Sequence, residues 1–281
     1  MRTVEQAAAW VEQVGLALLF PNGDYVLPSL WDAVAGPVPL EWAVRDEEGS
    51  FVSFTPEMEL VWRWKDELPA RKLACVGLHV ARTSSLVAPA LVGAAYALTG
   101  RSGRPDDFRE AGLEGLDVEV AEAALALGRP TTRRELRLLV GAEKRHVDRA
   151  VNALQRKLIL TNAGLADEPG WASTLHDLFP RRWRASLKRL PPRDDAVRAL
   201  ATAALRGARE VSAADLAAAL RIRRREATDT LEALEATGMA RAHREGEALI
   251  FSPAPASAAS GRARSARSRA AGSRSSSRRS R

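Results

Sequence analysis

Apolar residues recur at helical spacing along several parts of the chain and crowd together in others. In the front part this periodicity predicts helices over about 3–19, 27–35, 56–67 and 87–99. The run Lys72 to Val80 lacks a helical stripe and reads as a candidate strand. Further on, alanine-rich helices are predicted over 117–127 and 195–207, and amphipathic ones over 142–157 and 222–237. Val147, Val151 and Leu154 share one stripe, as do Ala227, Leu231 and Leu234. A short helix precedes each amphipathic one. It opens on a hydroxyl residue followed three positions later by an acid, Thr132 with Glu135 and Ser212 with Asp215, which is the pattern of a capping box. Leu158-Ile159-Leu160 follows the first amphipathic helix. The second is followed by an Arg244-Glu245-Gly246-Glu247 turn and Ala248 to Phe251, which predicts a β-hairpin. Between these two parts, Trp171, Leu175, Leu178 and Phe179 lie at helical spacing and predict a connector helix, closed by Pro191-Pro192.

The rear half matches itself at an offset of 80 residues without a gap. Ala121 to Leu125 falls on Ala201 to Leu205, Leu136 on Leu216, Val140 on Leu220, Val151 on Leu231, and Ala153-Leu154 on Ala233-Leu234. Three helices followed by a hairpin describe a winged helix, whose third helix enters the DNA major groove. The expected fold class is therefore α+β, mainly α with small β-hairpins. The expected domains are a helical, Trp-rich one over 1–113, winged helices over 114–170 and 193–252, a connector over 171–192 and a tail over 253–281.

Charge sharpens this picture. The 281 residues carry a formal charge of +7, distributed unevenly. Residues 1–116 hold 10 basic and 16 acidic side chains, residues 117–252 hold 24 and 19, and residues 253–281 hold eight arginines and no acid. The tail has no aliphatic side chain larger than alanine, so it is expected to stay disordered and to add sequence-blind affinity for phosphates. An acidic front and a basic rear point to an anionic partner. The start of each third helix supplies the cations: Lys144 and Arg145 in the first copy, Arg223, Arg224 and Arg225 in the second, with Arg133, Arg134, Arg137 and Arg149 nearby. Residues 129–157 carry net +6 and residues 197–252 net +1, so the first copy is expected to dominate. These residues are the candidate contacts to double-stranded DNA, damaged or undamaged. The plainer reading of such clusters is a solvated face.

No apolar run reaches the roughly 20 residues of a membrane-spanning helix, and the N-terminus lacks the shape of a secretory signal. The lone Cys75 allows no internal disulfide, and His79, His146, His176 and His243 are scattered through the sequence. No metal site, cofactor or membrane partner is expected, and the expected setting is the cytoplasm, associated with the nucleoid. His176 and Asp177 are neighbours that a helix would turn about 100° apart, so they form no preformed acid–base pair. The string Val61 to Lys72 sets Trp62, Trp64 and Lys65 beside Asp66 and Glu67, a candidate base-stacking pocket with polar readers. Its alternative is a helix end with exposed ion pairs.

Taken with the stretch Val14 to Phe20, Leu30-Trp31 and the Trp62 to Pro69 string, residues 3–252 resemble the AlkZ/YcaQ-like branch of winged-helix DNA-binding proteins. That family includes glycosylases of alkylated and crosslinked DNA. The resemblance implies a glutamine and, two residues on, an aspartate or glutamine that position the hydrolytic water. Laid on this chain, those slots hold Leu18 and Phe20, which cannot orient or deprotonate water. The expected function is DNA binding without the family's standard chemistry. The alternatives are an active glycosylase using Asp66 or Glu67 and a winged-helix transcriptional regulator.

Overall fold

The computed structural model describes residues 1–36, 38–167 and 172–255. The stretch from Ala256 on, and with it the eight-arginine tail, lies outside the described residues, as does Trp171.

The front part begins with helix α1 (Val4–Val14), capped by Thr3 and Gln6 in a reciprocal box. The expected single helix over 3–19 stops here. Gly15 adopts φ +79°, and a Cβ at this position would sit 2.8 Å from the Ala203 Cβ. Only glycine fits so close to the rear half in that conformation. The chain then becomes strand β1 (Leu16–Leu18), whose three residues are all buried. Two further corrections follow. The helix expected over 27–35 shortens to α2 (Leu30–Ala35) and is followed by an exposed hairpin, β2 (Ala43–Arg45) with β3 (Phe51–Phe54). Helix α3 (Pro56–Ala70) comes where expected. The run from Lys72 does hold a strand, β4 (Cys75–Gly77). The helix expected over 87–99 begins instead as strand β5 (Ser85–Val87) and turns helical only as α4 (Val92–Ala97). β5 lies between β1 and β4 in an antiparallel sheet. A strand buried on both faces shows no alternation, so its apolar run mimics a helix in sequence.

The rear half contains the repeat, element for element. Its first copy comprises α5 (Leu116–Leu127), β6 (Thr131–Thr132), α6 (Arg133–Val140), α7 (Lys144–Arg156) and β7 (Leu160–Leu165). β8 (Thr174–Leu178) and a single turn, α8 (Phe179–Arg182), follow it. The second copy comprises α9 (Arg193–Ala208), β9 (Val211–Ser212), α10 (Ala213–Leu220), α11 (Arg224–Ala236), β10 (Ala240–Glu245) and β11 (Ala248–Pro253). From the short strand through the long one, the boundaries coincide at the 80-residue offset. Both capping boxes form, and the two sheets have the same strand order, β6-β8-β7 and β9-β11-β10. The connector helix expected over 171–192 is a further correction. Residues 174–178 are the central strand of the first repeat's sheet, which therefore reaches beyond the expected boundary at 170. Leu175 and Leu178 lie on that strand rather than on one helical stripe.

The interior joins front and rear. Helix α4 packs on α9, and one apolar cluster runs from Leu16, Leu18 and Val87 to Leu200, Leu231 and Phe251. On the other side, α3 lies across β7, where Gly164 lets the Ala70 methyl approach to 2.8 Å of a would-be Cβ. The first repeat encloses its own cluster around Val120, Leu136, Val151 and Leu154. No described helix is long and apolar enough to cross a membrane.

Candidate nucleic-acid interface

Helix α7 buries Val147, Ala150, Val151 and Leu154, so its other face is left to solvent. Lys144, Arg145 and Arg149 lie on that face. Lys144 pairs with Asp148 at 2.7 Å, and Arg145 with Glu143 at 3.0 Å. These pairs are exposed, so they are worth little and yield readily to a stronger anion. Arg134 is exposed on α6, and Arg137 is partly covered in its last turn. Helix α11 opens in the same way, with Arg223, Arg224 and Arg225 exposed and, among the described residues, only Arg225 near an acid, Asp229 at 3.9 Å. The second helix of each repeat has a full capping box. Neither third helix has a side-chain cap, so its leading backbone N–H groups remain open beside these cations.

Arg133 differs from the rest of the set. It is half-buried, with its guanidinium donating to His176 Nε2 at 3.2 Å, Asp148 Oδ1 at 3.2 Å and Asn152 Oδ1 at 2.8 Å. It belongs to the wall of a recess of about 370 Å³ between the front sheet and the first repeat. Gly77, Leu78 and Ser84 form the front side, and Arg134, Asn152, Gln155, Asn162, Ser173 and Thr174 the rear. Gln155 is the hub. Its Oε1 accepts from the Leu78 N–H at 3.1 Å, and its Nε2 donates to Asn162 Oδ1 at 3.1 Å and faces His176 Nδ1 at 3.2 Å. His176 accepts from Arg133 at Nε2, so protonation of the ring would set an N–H against the Arg133 N–H there. Burial first and the Arg133 charge second hold its pKa down at about 3, and the ring is neutral. Beneath lies His79, also held neutral by burial, with a pKa of about 4. Its Nδ1 donates to the Gln155 carbonyl at 2.9 Å, which fixes the tautomer and leaves Nε2 to meet Thr161 Oγ1 at 3.1 Å. Burial likewise pushes the Cys75 thiol up to about 12. It is an inert core group 3.6 Å from the same threonine hydroxyl.

This recess was not among the sites read from sequence. The signal was there, since Asn152 and Gln155 are polar residues next to the apolar stripe of α7. A buried amide on a core face needs partners, and Gln155 finds them in Leu78 of the front part and in Asn162 and His176 of the first repeat's sheet.

The Trp62 to Glu67 string does not form the expected pocket. Residues two apart on a helix face different ways. Trp64 is fully buried in the front core, while Trp62 is 49% exposed and stacks on Phe54 at 6.1 Å. Lys65 does meet Trp62, its Nζ lying 4.4 Å from the ring centroid, but it also binds Asp66 at 2.6 Å. Asp66 is buried, with its pKa raised by burial against the opposing pull of Lys65. Glu67 is on the outer surface, bonded to Arg71, which Glu5 also engages. Neither carboxylate lines the recess. Of the two slots left silent by the resemblance, Leu18 is fully buried and Phe20 packs half-buried on the front core. The Leu19 N–H between them donates to the carbonyl of Ser84, a recess residue, which sets this segment beside the recess without lining it.

No curated protein matches the chain. Among solved structures, the Streptomyces sahachiroi DNA glycosylase AlkZ aligns at 18% identity and a TM-score of 0.44. The alignment covers 64% of this chain and 52% of that one, so the chain spans about half the length of that protein. The model of the family described as AlkZ related matches residues 1–221, well over half of the sequence, and the chain belongs to that family.

Proposed function

We propose that this protein binds duplex DNA through two winged helices, and that it holds an unstacked base in the recess without hydrolysing its glycosidic bond. The observation that carries this reading is the repeat itself. Two third helices, 80 residues apart in sequence, each open uncapped into a cluster of exposed cations. Phosphates meet the open N–H groups and the arginines there, and the exposed face of α7 or α11 faces the groove. Family membership and the basic rear half support the same partner. The tail adds salt-dependent affinity without sequence preference.

The recess supports the second half of the reading. Its amides and hydroxyls, on Asn152, Asn162, Ser173 and Thr174, offer donors and acceptors suited to a base edge, and Arg133 and Arg134 flank them with charge. It runs beside the segment of Leu18 and Phe20, where the family resemblance places the water-activating pair. Those side chains have no lone pair with which to hold water. Asp66 and Glu67 do not substitute for them, being buried in an ion pair and turned outward respectively.

The test pairs equilibrium binding with base release on duplexes containing 7-alkylguanine or 3-alkyladenine. The expected result is binding that is tighter to alkylated than to plain duplex, with no free base. Multiple-turnover base release would refute the silent slot, and absence of binding would refute the DNA reading.

A further inference from the structure

A second cavity, of about 390 Å³, lies where the loop after β4 meets both repeats. Its wall includes His79, Arg101, Arg156, Lys157 and Arg221. Arg101 is neutralised, since it is buried and pairs with Asp107 at 3.2 Å. Glu110, the one carboxylate in the wall, faces Arg104 at 3.4 Å. Arg156 and Arg221 have no such partner among the described residues. The Arg221 guanidinium instead donates to the Arg156 backbone carbonyl, a bond that cancels no charge.

The repeat shows how unusual Arg221 is. At the equivalent position 80 residues earlier stands Gly141. Both residues end the second helix of their repeat in the left-handed region, at φ +65° for Gly141 and +58° for Arg221. Glycine adopts that conformation freely, and an arginine adopts it against steric resistance. The first repeat shows the unstrained solution, so the second retains a strained residue that brings a guanidinium. Similar strain recurs nearby. Ala81 and Arg82 take φ +54° and +51°, where the Ala81 N–H donates to the Ala219 carbonyl at 2.9 Å, and Leu158 in the cavity wall takes +53°. The charges of Arg82 and Arg156 both act on Arg221. Its pKa is pulled down by burial first and by these two like charges next. Arg156 and Arg221 thus share the wall in direct contact, neither has an acid partner among the described residues, and their like charges repel.

We propose that this cavity binds a phosphate group, gripped by the guanidiniums of Arg156 and Arg221 with Lys157 beside them. The planar forks suit the oxygens of a tetrahedral anion, and the anion removes the repulsion among them. The phosphate belongs either to a DNA backbone or to a free phosphate-bearing ligand. The proposal stands apart from the duplex reading, because inorganic phosphate alone tests it.

The experiment titrates inorganic phosphate calorimetrically into the full chain in chloride buffer at constant ionic strength, and measures thermal unfolding in both salts. The variants are Arg156→Gln and Lys157→Gln, which keep the backbone carbonyls that Arg221 and Arg101 engage. Wild-type protein is expected to bind phosphate saturably and to unfold at higher temperature in phosphate than in chloride. Each variant is expected to bind it about tenfold more weakly. In chloride each variant is expected to unfold at the wild-type temperature or above, since a like charge has gone. No saturable phosphate binding by the wild type, or equal binding by wild type and both variants, overturns the proposal. A parallel titration with duplex DNA then identifies the source. A matching loss of duplex affinity in the variants assigns the phosphate to DNA, and unchanged duplex affinity assigns it to a free ligand.

Discussion

Acidification provides a sharp test of the polar junction between the front sheet and the first repeat. His79 and His176 are fully enclosed there and held neutral, with pKa values near 4 and 3. In the unfolded chain a histidine titrates near 6.5. The folded values are depressed, so between these limits the unfolded state binds more protons, and stability rises with pH through the window. The contribution is fully present above about pH 6.5 and is lost as pH falls toward 4 and 3. Each histidine costs about 2 kcal/mol between pH 7 and pH 5, hence about 4 kcal/mol for the pair. That is a large share of the roughly 5–15 kcal/mol typical of a folded protein. Glu135 acts in the same direction but lower, because its bond to Arg129 holds it at about 2. Asp66, raised by burial, acts oppositely and also in the acid range. The assay is urea unfolding at pH 5, 6 and 7, with His176→Asn alongside. The variant starts from lower stability, but its loss between pH 7 and pH 5 should halve to about 2 kcal/mol, because one titrating group remains. A wild-type loss below about 1 kcal/mol over that interval, or an unchanged slope in the variant, would refute the claim that both rings are buried and neutral.

Trp64→Ala should destabilise by about 3–5 kcal/mol and Trp62→Ala by about 1 kcal/mol or less in denaturant titrations, since one fills the core and the other stacks on the surface. Gly164→Ala, whose new methyl meets Ala70 at φ +119°, should cost about 2 kcal/mol in the same assay. Lys144→Ala with Arg145→Ala should weaken duplex binding more than Arg224→Ala with Arg225→Ala, because the first repeat carries the greater positive charge. Equal losses would show net charge to be the wrong guide. Deleting residues 256–281 should weaken binding to every duplex and flatten its salt dependence, as fewer counterions are released.

Legibility in the sequence followed the locality of the signals. The repeat was readable because capping boxes and helical stripes act within a few residues, and Thr132 with Glu135 or Ser212 with Asp215 needs no distant partner. The strands were harder. β1, β5 and β8 are short and enclosed, so their apolar residues show no alternation and pass for helix, and Gly15 ends α1 for a reason set by Ala203 far along the chain. The Trp62 to Glu67 string shows the same limit in reverse. Its residues are adjacent in sequence, but helical geometry sends Trp64 to the core, Trp62 to the surface and Glu67 toward Arg71. The recess around Gln155 depends on contacts from Leu78, Asn162 and His176, which only the folded chain brings together.

The central claim is that the paired third helices bind duplex DNA through phosphates. Its most direct test is fluorescence anisotropy of a short undamaged duplex across a salt series, for wild type and for the fourfold variant Lys144→Ala, Arg145→Ala, Arg223→Ala, Arg224→Ala. The account predicts saturable wild-type binding whose logarithm falls linearly with log salt. In the variant the slope should be shallower by about 3 to 4, close to 0.9 for each phosphate that the missing cations no longer neutralise. A wild-type protein that does not bind duplex at about 50 mM salt, or a variant with an unchanged slope, would contradict it.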